Sequence, residues 1–181
     1  MRILKLPTQV ADRIAAGEVV ERPASVVKEL VENSIDAGAR AVRIEIAGGG
    51  LEMISVSDDG CGMNREDASL AFERHATSKI SRAEDLFSIV TLGFRGEALP
   101  SVASVARVRL VTRERGAAIG TVVTAEGSVV SEPSAIGAPE GTTIAVRDLF
   151  YNTPARLKYL RSVATETRRV IEAVGRLALA H

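Results

Sequence analysis

Apolar and polar positions along the chain follow two different periods. Segments with apolar residues at helical spacing predict helices, and these are "QVADRIAA", residues 23–36, "REDASLAFERHA", "PSVASVA" and "TETRRVIEAVGRLALAH". Segments in which apolar and polar residues alternate predict strands, and these are "AVRIEIA", "LEMISVS", "RVRLVT", "GTVVTAEG" and "TTIAVRDLF". Glycines 48–50 separate the first two strands and predict a hairpin. Because strands mostly follow strands and helices cluster early, we expect an α+β fold, a two-layer sandwich of sheet and helices.

One long segment, from Thr77 to Leu99, follows neither period and contains Gly93 and Gly96. A long irregular segment inside a compact domain is often a functional lid. Taken in isolation, the stretch from Thr91 to Val105 is better explained as a flexible surface loop, which is the alternative.

Composition restricts the function classes. The chain has 181 residues, 46% of them hydrophobic, and a net charge of zero, which indicates one globular domain over residues 1–181. Aromatic residues make up 3% with no Trp, which disfavours a platform that stacks nucleic-acid bases. The single cysteine, Cys61, excludes an internal disulfide and a cysteine-built zinc site. The chain shows neither a signal peptide nor an apolar run of membrane-spanning length, so we expect a cytoplasmic protein with no membrane contact.

The end of the chain differs in charge from the rest. From residue 151 onward basic residues outnumber acidic ones. This surface could contact DNA weakly and without sequence specificity, or it could be a solvated helix face. The last predicted helix stops without a cap and has an apolar side that nothing downstream covers. We therefore expect a piece of a longer protein, with residues 151–181 leading toward a second domain.

The predicted helix over residues 23–36 carries four polar groups that could bind a ligand. At helical spacing Glu29, Asn33 and Asp36 fall on one side, whereas Glu32 lies on a flank. A carboxylate can orient or deprotonate water, and an amide oxygen is a hard ligand suited to Mg²⁺. A polar face paired with nearby Lys or Arg would give the same pattern, so both interpretations stay open.

Two further stretches could hold a ligand. In "SVSDDGCGM", Asp58 follows a strand and precedes Gly60 and Gly62, so its carboxylate could accept a hydrogen bond from the amino group of a base, or the stretch could be a simple Asp-Gly turn. In "TLGFRGEALPSVASV", glycines precede a helix whose free amide groups would suit phosphate. Hydroxyl and ammonium groups that could assist lie upstream and downstream: Thr77, Ser78, Lys79, Thr142 and Thr143. Neither a Walker loop nor a "GxGxxG" motif occurs in the chain.

The motifs "ELVENSIDAGA", "DDGCGM", "GFRGEAL" and "GTTIAVRDLFYNTPARLKYL" occur in this order. Together they resemble the N-terminal ATPase domain of the MutL family of DNA mismatch-repair proteins, part of the GHKL (Bergerat-fold) group. The "E-x-x-x-N", "D-x-G-x-G" and "GT" elements are shared by that group, whereas "GFRGEAL" and "FYNTPAR" are specific to the MutL branch. The resemblance covers essentially the whole chain and implies a mixed, mainly antiparallel sheet with helices on one face.

The resemblance implies roles for individual residues and two cofactors, ATP and Mg²⁺. Glu29 matches the general base that orients water, and Asn33 the Mg²⁺ ligand. Asp58 matches the carboxylate that reads adenine, with the Thr143 hydroxyl supporting it, and Gly60 and Gly62 keep the base pocket open. The lid that closes over the phosphates corresponds to Thr77, Ser78, Lys79, Gly93, Phe94, Arg95, Gly96, Glu97 and Leu99. Glu32 and Asp36 receive no catalytic role, and Asp36 is expected to shape the helix end.

The resemblance also implies a function. ATP binding would make two ATPase domains associate, and this switch would couple a MutS-type mismatch-recognition protein, and DNA, to downstream repair enzymes. The family's second domain supplies a lysine to the γ-phosphate, so we expect weak hydrolysis and poor self-association from residues 1–181 alone. Two other functions stay possible, another GHKL enzyme such as a sensor kinase and an interaction module that no longer binds nucleotide. The first would need a phosphorylatable histidine on a dimerisation helix, which the sequence does not show, and the presence of Glu29, Asn33 and Asp58 argues against the second.

Overall fold

The computed structural model describes residues 19–79, 91–93, 96–127 and 129–181 of the chain. The described helices are α1 (Pro23–Asp36), α2 (Arg65–Leu70), α3 (Ala98–Val105), α4 (Pro154–Leu157) and α5 (Val163–Ala180), and a 3-10 turn spans Gly48–Gly50. The strands are β1 (Val42–Ala47), β2 (Met53–Asp58), β3 (Arg107–Arg113), β4 (Gly120–Glu126), β5 (Val129–Val130), β6 (Ser134–Ile136) and β7 (Gly141–Arg147). The helix predicted over "QVADRIAA" lies outside the described residues.

The strands form one antiparallel sheet in the order β1-β2-β7-β3-β4-β5, and β6 pairs with the other part of β4. The predicted hairpin is confirmed, since β1 and β2 pair across the glycine turn. The α+β prediction is confirmed too, because α1, α3 and α5 form a helical layer against the sheet. The short strands β5 and β6 are absent from the prediction, and α2 ends at Leu70, earlier than its apolar pattern suggested.

The core lies between the helical layer and one face of the sheet. Helix α1 contributes Val27 and Leu30, which are almost fully buried, and the sheet contributes alternate residues such as Val56 and Ile144. These two residues are register partners, so β2 and β7 present the same phase of side chains to the helices. Removing a buried side chain such as Leu30 would cost roughly 2–5 kcal/mol.

Helix α1 begins and ends where its sequence dictates. Pro23 takes the first helical position, where its fixed φ is favourable and its missing N–H leaves no bond unmade. At the other end the amides of Ala37 and Gly38 donate to the carbonyls of Asn33 and Ile35, and Gly38 has a φ of 69°. The last turn of α1 is thereby placed beside the end of β2, where Cys61 N donates to Ala37 O over 3.0 Å.

Candidate functional site

The carboxylate of Asp58 is fixed at the junction of α1 and the sheet. Asp58 is the last residue of β2, and its register partner on β7 is Thr142. Its Oδ2 accepts from Ser34 Oγ over 2.8 Å, and its Oδ1 accepts from the amides of Gly60 over 3.0 Å and Thr142 over 3.2 Å. A carboxylate has about four lone-pair sites, so three bonds hold the group in place and leave an acceptor position, on Oδ2, for a ligand's donor.

The neighbouring carboxylate, Asp59, has a different task. Its Oδ1 accepts from the amides of Arg40 over 2.7 Å and Ala41 over 2.9 Å, in the segment that leads from α1 into β1. These backbone bonds, that of Ala41 first, hold the pKa of Asp59 below its ordinary value. Asp59 therefore fixes the connection between α1 and β1, whereas Asp58 is bonded to Ser34, Gly60 and Thr142.

The predicted support of Asp58 by the Thr143 hydroxyl is wrong. Thr143 is the register partner of Ser57, and its hydroxyl donates to Ser57 Oγ over 2.9 Å on the face of the sheet opposite to Asp58. Thr142 lies on the face of Asp58, and its hydroxyl is 3.0 Å from that of Thr112. The signal was present in the sequence, because Thr142 is in phase with the buried Ile144. Ser34, buried on α1, is the second residue that sequence reasoning missed.

Gly60 and Gly62 let backbones approach closely, and that they keep the base pocket open stays a prediction. A Cβ at Gly62, where φ is 68°, would stand 2.0 Å from the carbonyl oxygen of Arg113. A Cβ at Gly60 would stand 2.9 Å from the Cβ of Ala37 and 3.0 Å from Asp58 Oδ1. Both glycines thus pack the loop after β2 against α1 and β3, which fixes the position of Asp58.

The polar face of α1 is divided as its helical spacing predicted. Glu32 is buried beneath Lys28, whose Nζ donates to its Oε2 over 2.8 Å, whereas Glu29 Oε1 is 3.9 Å from the same ammonium and the Glu29 side chain is 34% exposed. One turn further on, Asn33 Oδ1 accepts from Lys79 Nζ over 2.8 Å. The chain therefore places Lys79, predicted to contact phosphate, on the residue predicted to bind the metal.

Asp36 connects most of this region, although sequence reasoning assigned it no role beyond shaping the helix end. Lys79 Nζ donates to its Oδ2, and the amides of Leu92 and Gly93 donate to Oδ1 over 2.9 Å and to Oδ2 over 3.1 Å. Burial by itself would raise the pKa of Asp36, but Lys79 and the two amides outweigh burial and lower it. Such compensation is needed, because an acid at a helix C-terminus faces the negative end of the helix dipole.

The structure describes some of the remaining predicted lid residues and not others. Thr77 Oγ1 accepts from Lys79 N over 3.2 Å, Ser78 is exposed, and Phe94 and Arg95 lie outside the described residues. A Cβ on Gly93 would stand 3.3 Å from Lys79 Nζ and 3.7 Å from Asn33 Oδ1, so Gly93 belongs to the cluster.

The C-terminal part of the predicted lid contacts His75 and the core. Gly96 O accepts from His75 N over 3.2 Å, and Glu97 Oε1 is 2.8 Å from His75 Nδ1. Leu99 is buried and packs in the core, and its contact with nucleotide stays a prediction.

Oxygen atoms along α1 already attract a cation. The Lys79 ammonium bonds both Asn33 Oδ1 and an oxygen of Asp36, and amide and carboxylate oxygens are the ligands that Mg²⁺ prefers. Within the described ranges, no three His, Cys, Asp or Glu side chains come together as a metal cluster. The residues fit a Mg²⁺ ion that takes Asn33 as a protein ligand and receives the rest of its shell from a bound anion and water.

Residues 21–138, which include α1, the Asp58 loop and α3, match the family of histidine kinase-, DNA gyrase B- and HSP90-like ATPases. The chain belongs to this ATPase family. The predicted GHKL resemblance is therefore confirmed, and the fold is that of its members.

Within this family the chain is a MutL-type ATPase domain. It is 62% identical over 178 residues, 98% of its length, to the DNA mismatch repair protein MutL of Geobacter sulfurreducens. It matches the solved structure of the Aquifex aeolicus MutL ATPase domain complexed with ADP, with a TM-score of 0.68 and 35% identity over 89% of this chain and 56% of that one. A solved N-terminal domain of a DNA repair protein matches with a TM-score of 0.73 and 30% identity over 92% of this chain and 47% of that one. The chain spans 29% of the length of the Geobacter relative.

No helix in the described part of the chain has both the length and the apolar character needed to span a membrane.

Proposed function

We propose that the chain binds ATP with Mg²⁺ between the end of β2 and the exposed side of α1, and hydrolyses it. The observation that carries the proposal is the Asp58 carboxylate, held by Ser34, Gly60 and Thr142 with an acceptor position left over. An exocyclic amino group of adenine is a donor that suits this position. Support also comes from the ATPase family and from the relative whose structure is described as complexed with ADP.

The phosphate end of the nucleotide would lie along α1 toward Asn33. Asn33 would hold the Mg²⁺, which when bound supplies charge neutralisation for the phosphoryl group that is transferred. Glu29, one turn before Asn33 on the same side of the helix and half exposed, would orient the attacking water as general base. The Lys79 ammonium and the amide of Gly93 would donate hydrogen bonds to phosphate oxygens, and their position close to Asn33 supports this role.

The two adjacent aspartates provide a matched test of the adenine contact. We expect Asp58→Asn to weaken the binding of Mg·ATP and of Mg·ADP by about tenfold or more, on the order of the cost of losing a charged hydrogen-bond partner. Asp59→Asn is the control, because it removes the same charge one residue later, from a carboxylate that accepts from the backbone amides of Arg40 and Ala41. Calorimetric titration of the 181-residue chain measures both, and equal affinities for wild type and Asp58→Asn would refute the adenine assignment.

The wider role is proposed from the relatives. In the longer protein, ATP binding would drive association of two ATPase domains and link a MutS-type partner and DNA to later repair steps, in the cytoplasm as the sequence predicted. Such a switch requires that ATP bind one conformation more tightly than the other. Because poor self-association is expected of residues 1–181 alone, the association is tested on a longer protein that includes the second domain, by sedimentation with a non-hydrolysable ATP analogue and with ADP. The same sedimentation coefficient in both states would count against nucleotide-driven association of these domains.

A further inference from the structure

Asp36 accepts three hydrogen bonds from groups that do not belong to its own helix. The Lys79 ammonium and the amides of Leu92 and Gly93 all point at its carboxylate, which is 7% exposed. The loop that supplies the amides is held further by Thr91, whose Oγ1 donates to Gly93 O over 2.8 Å. Three donors from two separate segments therefore converge on one buried anion.

This donor set is the kind that binds phosphate. Successive backbone N–H groups in a glycine-containing turn form a concavity for an anion, and a lysine ammonium is a common companion for phosphate oxygens. We infer that Asp36 is an internal anion that occupies a phosphate-binding cradle formed by Lys79, Leu92 and Gly93, and that a phosphate group of the nucleotide binds by displacing it. The inference rests on the proposed function and adds a competing residue to that site.

Competition follows from how few hydrogens the cradle has. Each amide carries one hydrogen, so Leu92 and Gly93 cannot donate fully to Asp36 and to a phosphate at the same time. A phosphate that approached the intact cluster would also face the negative charge of Asp36 at close range. The same ammonium also bonds Asn33 Oδ1, so its transfer to a phosphate would free the oxygen proposed to bind the metal.

The experiment compares ligands with and without phosphate. We would titrate the 181-residue chain with ADP and with adenosine in the presence of EDTA, so that no metal contributes. Asp36→Asn should bind ADP more tightly than wild type, by about tenfold, because the amide side chain cannot replace the carboxylate toward all three donors. Adenosine affinity should not change. Glu32→Gln is the control for charge alone. It removes an acid from the same helix, and the Glu32 carboxylate pairs with Lys28 and not with the cradle.

The outcomes separate this inference from the proposed function. If Asp36→Asn binds ADP no tighter than wild type, or more weakly, while adenosine binding is unchanged, Asp36 supports the cradle and does not compete for it. Equal tightening in Glu32→Gln would assign the effect to net charge and also overturn the inference. Failure of wild type to bind Mg·ATP and Mg·ADP would overturn the proposed function itself, and the inference with it.

A measurement on wild type keeps the inference testable even if Asp36→Asn does not fold. Nuclear magnetic resonance detects couplings across hydrogen bonds, from the amide nitrogens of Leu92 and Gly93 to their acceptors. Without ligand the amide nitrogens should couple to the carboxylate carbon Cγ of Asp36, and in the ADP complex they should couple to a phosphorus atom of ADP. Couplings that stay on Asp36 in the ADP complex would overturn the inference.

Discussion

Gly62→Ala is expected to be among the most damaging single-methyl substitutions in the chain, for two reasons that can be separated. The first is conformational: at a φ of 68° an L-residue with a Cβ costs about 1–2 kcal/mol more than glycine. The second is steric: the new Cβ would stand 2.0 Å from Arg113 O, far inside van der Waals contact. The backbone cannot yield without cost, because Met63 N donates to Thr112 Oγ1 over 2.9 Å and Arg115 N donates to Cys61 O over 3.0 Å.

The two contributions together should lower the free energy of unfolding by roughly 3–5 kcal/mol, a large part of the stability of an ordinary domain. Gly116→Ala is the matched control, since Gly116 has a φ of 81° and no atom lies within 4 Å of the position that a Cβ would take there. It should lose only the conformational share, about 1–2 kcal/mol. Urea denaturation followed by circular dichroism measures both variants. If Gly62→Ala lost no more stability than Gly116→Ala, the close approach of the Asp58 loop to β3 would be refuted.

Three further predictions concern the site. Thr142→Val should weaken ADP binding by several-fold, on the order of one lost neutral hydrogen bond, because the bond to the Thr112 hydroxyl helps to fix the strand residue whose amide donates to Asp58. Thr143→Val, on the other face of the sheet, should leave the calorimetric affinity unchanged, and the reverse order would favour Thr143 as the support of Asp58. In a longer protein that includes the second domain, Glu29→Gln should retain ATP binding but slow ATP hydrolysis by about two to four orders of magnitude, whereas Glu32→Gln should not. Equal rates for wild type and Glu29→Gln in a phosphate-release assay would exclude Glu29 as the base. Because the pKa of Asp36 is lowered in the folded chain, its contribution to stability is present above its ordinary pKa of 3.8 and is lost as the pH falls through the lower folded value. The difference in free energy of unfolding between wild type and Asp36→Asn, measured by urea titration at several pH values, should therefore shrink at acid pH. A difference that stays constant with pH would contradict the ion pair with Lys79.

The local elements and most of the candidate chemistry can be predicted from the amino-acid sequence. Apolar spacing and Pro23 define α1, alternation defines the long strands, and the spacing of Glu29 and Asn33 puts both on one side of a helix. These are local properties of neighbouring residues, so they are visible in the sequence as a repeat of 3.6 residues in a helix or 2 residues in a strand. The same alternation could have chosen Thr142 over Thr143, since the face of a strand residue is fixed once one buried neighbour is known.

Which distant segments meet is a property of the tertiary structure. Ser34 reaches Asp58, and Lys79, Leu92 and Gly93 reach Asp36, across separations that no local period records. The strand order, in which β7 lies between β2 and β3, brings Thr142 and Thr112 together and closes the base of the site. Such contacts depend on how the sheet pairs and on how α1 packs against it, because a hydrogen bond between distant segments requires both partners to be placed within about 3 Å by the rest of the fold. For this reason Asp36, predicted only to shape a helix end, accepts hydrogen bonds from Lys79, Leu92 and Gly93.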